Sequence, residues 1–338
     1  MSQDLSLHIY PKTTEFNCID TFWKLIKAVN EWSSYTSDWH GLNITQFSPY
    51  REYRSEIKDS QRDSKTRLNK FTETINQLDV QSDYKISLAT SYPYHQTNSG
   101  NKPKKYFGSL RVRAWGSGQF RGHYPLEEGL GEISFNPVQH FFFQPEVLVR
   151  DDEDISKKEE SYLAYKKCVQ RNLEKIRNLF DLLITHLDPF SIKLYLGSGA
   201  RIPFNSHATY FSSHESLMQD LSFIRDTWSG ENPIEDTPLN RFDPVKHKWF
   251  FNHIRPQEQS RELWEDMSRL LPSLDKVTPD VVKLVWDQTN LASDEKLDIK
   301  RIKDQSVIVF SSPFFLNTFV SRYYLDVLEM AALESEDN

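Results

Sequence analysis

The residues best suited to chemistry in this chain are gathered in KPKKYFGSLRVRAWGSGQFRGH, residues 102–123. The stretch holds six Lys or Arg and no acid, within a chain of net charge -7. Basic side chains bind phosphate or carboxylate, and aromatic ones stack on bases or fill a partner's pockets. In GSLRVRAW, Leu110, Val112 and Ala114 alternate with Ser109, Arg111, Arg113 and Trp115. A strand with that pattern has one apolar face and one bearing two arginines and a tryptophan. The turn Gly116-Ser117-Gly118 and the following QFRGHY read as the return of a β-hairpin. The candidate binding residues are therefore Lys104, Lys105, Arg111, Arg113, Trp115, Arg121 and His123, with Lys102 beside them. Such a ribbon could meet nucleic acid, meet an acidic protein, or pair with acids of its own chain. The sequence pI of 5.8 favours protein over nucleic acid, because dedicated nucleic-acid binders are basic overall.

Other chemistries lack a full set of residues. YLGSGAR follows a strand pattern as a phosphate loop would, but no Lys-Ser or Lys-Thr follows it. Gly197-Ser198-Gly199 lacks the flanks of a nucleophile elbow. His207 and His214 form one histidine pair and His247 and His253 another. Only Glu258 is an oxygen ligand near the second, short of the three or four ligands that zinc needs. Glu56-Ile57-Lys58 and Asp298-Ile299-Lys300 match a nuclease triplet locally, but the first reads as part of a helix and the second has no clear partner acid upstream. The paired carboxylates Glu127-Glu128, Asp151-Asp152 and Glu159-Glu160 sit in polar surroundings that would not raise a pKa for acid catalysis. By this count the chain reads as a binding protein rather than an enzyme, with no cofactor and no metal.

The elements that must position the basic stretch follow from periodicity. Of the 338 residues, 38% are hydrophobic and 13% aromatic, enough for a sizeable core. LSLHIY alternates as a strand. Cys18, Phe22, Leu25, Val29 and Trp32 recur at helical spacing behind the N-cap Asn17. Ser48-Pro49 reads as a helix start, with Tyr50, Tyr53 and Ile57 on one side, and the 50–78 region as a helical arm. YKISLATSY, KYFGSLRVRAW, GEISFNPVQHFFF and PEVLV read as strands of an antiparallel sheet. RDDEDISKKEE, residues 150–160, reads as a linker. A helix is expected from about Tyr162 to Leu187, then a strand in SIKLYLGSG. Helices follow in HESLMQDLSFIRDTW, QEQSRELWEDMSRLL and PDVVKLVWDQ, a buried strand in SVIVF, and a last helix after Ser312-Pro313.

The fold class expected is α+β, an antiparallel sheet with flanking helices followed by a mainly helical second half with a few strands. The expected division is an α+β subdomain over 1–150, net +2, and an acidic one over 151–338, net -9. The buried positions expected are Phe22, Val29, Leu110, Val112, Phe180, Leu194, Val309 and Phe319. Cys18 and Cys168 both fall on apolar helical stripes as buried thiols. MSQDLSLHIY lacks the basic start and apolar core of a signal peptide, and no run reaches the ~20 apolar residues of a membrane span. A cytoplasmic location without membrane contact is expected. The function expected is a non-catalytic protein-binding module, in the manner of a cognate inhibitor or immunity-type protein of a bacterial conflict system. The alternative is a nucleic-acid-binding or nucleic-acid-processing protein that uses hairpin 102–123.

Overall fold

A computed structural model describes residues 5–12, 17–32, 39–48, 51–56, 64–79, 83–96, 104–116, 130–136, 174–196, 206, 208–228, 266, 269–289, 297–303, 305–311 and 321–333. The architecture is α+β with antiparallel strands, and the chain divides into two compact units. The first spans Met1–Arg121, Leu126–Pro189 and Leu196–Ser198. The second spans Gly122–Pro125, Phe190–Tyr195 and Gly199–Asn338. The linker expected at 150–160 lies outside the described residues.

In the first unit the elements are β1 (Leu5–Tyr10), α1 (Cys18–Trp32), β2 (Trp39–Ser48), β3 (Arg51–Glu56), α2 (Ser64–Asn76), β4 (Asp83–Gln96), β5 (Lys104–Trp115), β6 (Leu130–Asn136) and α3 (174–187). The strands lie in the order β3-β2-β4-β5-β6-β1. Each neighbouring pair in this order is antiparallel. Helix α1 forms because Asn17 accepts the amides of Ile19 and Asp20 at 2.9 and 3.0 Å, satisfying two orphan donors of the first turn. Its inner stripe, Cys18, Phe22, Leu25, Ile26 and Val29, is buried, and the Cys18 thiol donates to the Tyr84 carbonyl at 3.3 Å. The stripe lies on the sheet face that carries Ile9, Gly131 and Ala114, which stand side by side in the register. A Cβ at Gly131 would stand 3.0 Å from Leu25 Cδ1, so glycine is what lets the helix approach so closely. Leu7, Ile9, Ile86, Leu88, Leu110, Val112, Ile133 and Phe135 complete that apolar face. Each such side chain contributes about 1.5–3 kcal/mol by leaving water.

Two expectations fail here. Ser48-Pro49 does not open a helix: β2 and β3 pair from Asn43↔Glu56 to Ser48↔Arg51, so Pro49 and Tyr50 connect a hairpin. Ser followed by Pro marks a tight turn as well as a helix start, and REYRSE has only Tyr53 as an apolar residue, too few to give a helix a buried face. The helical arm over 50–78 is therefore replaced by strand β3 and the shorter α2, which buries Phe71 and Ile75. Nor is β5 half of a hairpin with residues 119–124. Both of its sides are occupied over Ser109–Trp115, by β4 and β6. The β4 segment offers twelve paired positions, far more than the short QFRGHY. Gln119 to Tyr124 lie outside the described residues.

Helix α3 buries Ile176, Leu179, Phe180 and Leu183. It stops at Asp188, which adopts φ 45° and returns its amide to the Ile184 carbonyl at 3.1 Å. Pro189 then forbids continuation.

In the second unit β7 (Ser191–Leu196), β8 (Ala208–Phe211), β9 (Leu297–Lys303) and β10 (Ser306–Ser311) lie in the order β7-β8-β10-β9. Among the described residues the helices are α4 (His214–Trp228), α5 (Pro279–Thr289) and α6 (Ser321–Leu333), with a 3-10 turn at Leu271–Lys276. Pro272 sits in the first positions of that turn, where its missing amide costs nothing. Thr278 accepts the Val281 amide through its hydroxyl at 3.3 Å and starts α5. Phe211, Leu217, Leu221, Val281, Trp286, Val307, Val309, Tyr323 and Leu328 share one core. Of the positions expected to be buried, Phe22, Val29, Leu110, Val112, Phe180, Leu194 and Val309 are fully so. Phe319 and Cys168 lie outside the described residues. Among the described residues no helix is long and apolar enough to cross a membrane.

Candidate functional site

The face of the first sheet opposite α1 is polar, and register brings its residues into rows. One row reads Ser87 (β4), Arg113 (β5), Glu132 (β6), His8 (β1). The next reads Ala89, Arg111, Ser134, Ser6. Glu132 is 2% exposed at its side chain, and Arg113 at 21% donates to its Oε1 at 2.8 Å. A buried carboxylate needs such a partner, since an uncompensated charge in the interior is costly. His8 is fully buried beside Glu132. Trp115 is also buried, with Lys85 Nζ 5.3 Å from its ring centroid, a cation–π contact. Arg111 is exposed.

The basic residues expected to act together therefore occupy different settings. Arg113 neutralises an acid of its own sheet. Trp115 is packed, and Arg111 faces solvent on the same polar face. Lys104 and Lys105 begin β5, opposite Gln96 and His95. Arg121 and His123 lie outside the described residues. Beyond Thr90 and Ser109 the β4–β5 ladder outruns its neighbours. Among the described residues Tyr92–Gln96 and Lys104–Gly108 pair only with each other. That two-stranded extension places Tyr94 opposite Tyr106, Pro93 opposite Phe107 and His95 opposite Lys105. The segment is thus a ribbon, with β4 as its second strand.

The second unit holds a buried polar cluster that sequence reasoning missed. Lys193 of β7 forms an ion pair with Asp220 of α4, and both side chains are 0% exposed. Tyr324 of α6 donates its hydroxyl to the same Asp220 oxygen at 2.7 Å. Thr209 stands beside Lys193 in the register, hydrogen-bonds Tyr324, and meets the Ser206 hydroxyl at 2.6 Å. Burial pushes the Lys193 ammonium well below its ordinary value. Burial likewise pushes the Asp220 carboxyl well up, against the opposing effect of the Tyr324 hydrogen bond. Tyr324 is raised by burial and then by the neighbouring Asp220. Lys and Asp side by side hold one proton between them and stay neutral as a pair wherever it sits. The signal was present in SIKLYL, where a lysine interrupts an apolar run on a strand buried on both faces. Its complement is Asp220, set between Leu217 and Leu221 on the inner stripe of α4.

Among the described residues no three His, Cys, Asp or Glu side chains converge to hold a metal. His214 opens α4, whereas His207, His247 and His253 lie outside those residues. Comparison with protein-family models, with curated proteins and with solved structures finds no match for this chain.

Proposed function

We propose that this chain is a protein-binding module whose contact surface is the β4–β5 ribbon together with the Arg111 side of the sheet. The observation that carries the reading is the extension of that ladder beyond its neighbours, in a segment whose residue types are basic and aromatic. Arg and aromatic residues dominate binding energy at protein interfaces, and a two-stranded extension offers them without disturbing the core. The partner that suits it is an acidic protein surface. A module of this kind acts by covering its partner, as a cognate inhibitor or immunity-type protein does. The internal pairing of Arg113 and the packing of Trp115 support protein over nucleic acid, because they reduce the cationic surface that phosphates would need.

The test is affinity purification from the native host with wild-type chain and with the triple variant Lys104→Glu, Lys105→Glu, Arg111→Glu. The reading expects one stoichiometric protein partner with the wild type and none with the variant, at equal melting temperature. Nucleic acid in place of protein, with affinity falling steeply as salt rises, would support the second reading, which rests on Tyr94, Tyr106 and Phe107 standing beside the lysines.

A further inference from the structure

We draw no further inference here: the strongest candidate, the side-chain cluster of Glu132 and His8 on the polar face of the first sheet, where Glu132 Oε2 meets no hydrogen-bond donor, carries nothing, because both side chains are sealed from solvent and nothing in the structure shows what covers them.

Discussion

Arg113–Glu132 in the first unit and Lys193–Asp220 in the second are both cross-element ion pairs, yet they answer to different physics. The first has a partly wet cation, and its 2.8 Å contact serves mainly to make a buried glutamate tolerable. The second is sealed at both ends, 0% exposed on each side, and burial drives both groups toward neutrality. One charge pair can thus be a local neutralisation at a surface, while another of the same chemistry is a proton-sharing core element. Both pairs are internal to the fold, which is why the binding reading rests on the exposed Arg111 and the β4–β5 extension and on neither pair.

The contrast breaks most readily at the sealed pair. Lys193→Met alone strands Asp220 in the interior and is expected to cost about 3–5 kcal/mol in urea unfolding. The double variant Lys193→Met, Asp220→Leu should recover most of that loss, since apolar replacements of a buried pair are near neutral. Arg113→Met leaves Glu132 buried beside a partly solvated rim, so its cost should be smaller, about 1–3 kcal/mol. If Arg113→Met proves the costlier of the two single changes, exposure is the wrong basis for ranking these pairs.

Titration sharpens the comparison. A raised Asp220 costs stability as pH climbs above 3.8, and a lowered Lys193 costs stability as pH drops below 10.5, so the two slopes oppose each other between those ordinary values. Tyr324 has a raised value, so its contribution is fully present below 10.0 and is lost as pH rises above it. Urea midpoints measured against pH should therefore fall as pH rises above 10.0, and Tyr324→Phe should flatten that alkaline limb.

Smaller still is Gly41→Ala. Gly41 sits at φ +64° where the β2–β4 register shifts between His40 and Asn43, and open space surrounds the position of a Cβ. The expected loss of about 1 kcal/mol comes from backbone conformation alone. Smallest is Arg111→Glu, at under about 0.5 kcal/mol, with loss of partner binding as its readout. A melting point lowered by many degrees would place Arg111 with Arg113 as a structural residue.

Much of the fold was legible because period and burial coincide where one face is covered. The stripe of α1, the alternation of β5 and the buried run of β10 each gave a single reading. Segments whose local signals serve two purposes were misread. Ser48-Pro49 suits a helix start and a hairpin turn equally, and only the long-range register with β4 decides between them. The basic ribbon was visible in its residues, but its partner strand was not, because strand pairing is a tertiary choice that GSG turns do not dictate. Arg113 looked like surface charge because Glu132, nineteen residues on, is brought opposite it only by the β5–β6 ladder. Lys193 was hidden for the same reason: a strand covered on both faces defeats the rule that alternation marks exposure.

The pairing of β1 with β6 also sets a clock. Leu5 meets Phe135 and Ile9 meets Gly131, so about 120 residues separate the partners, against a two-residue connection between β2 and β3. Closing the longer loop costs roughly 3–4 kcal/mol more in chain entropy, so the hairpins β2–β3 and β4–β5 form before β1 is seated. At synthesis rates of about 5–20 residues per second, β1 waits roughly 6–25 s for its partner strand β6 to be made. Throughout that interval its apolar Leu7 and Ile9 stay exposed to whatever else the nascent chain encounters.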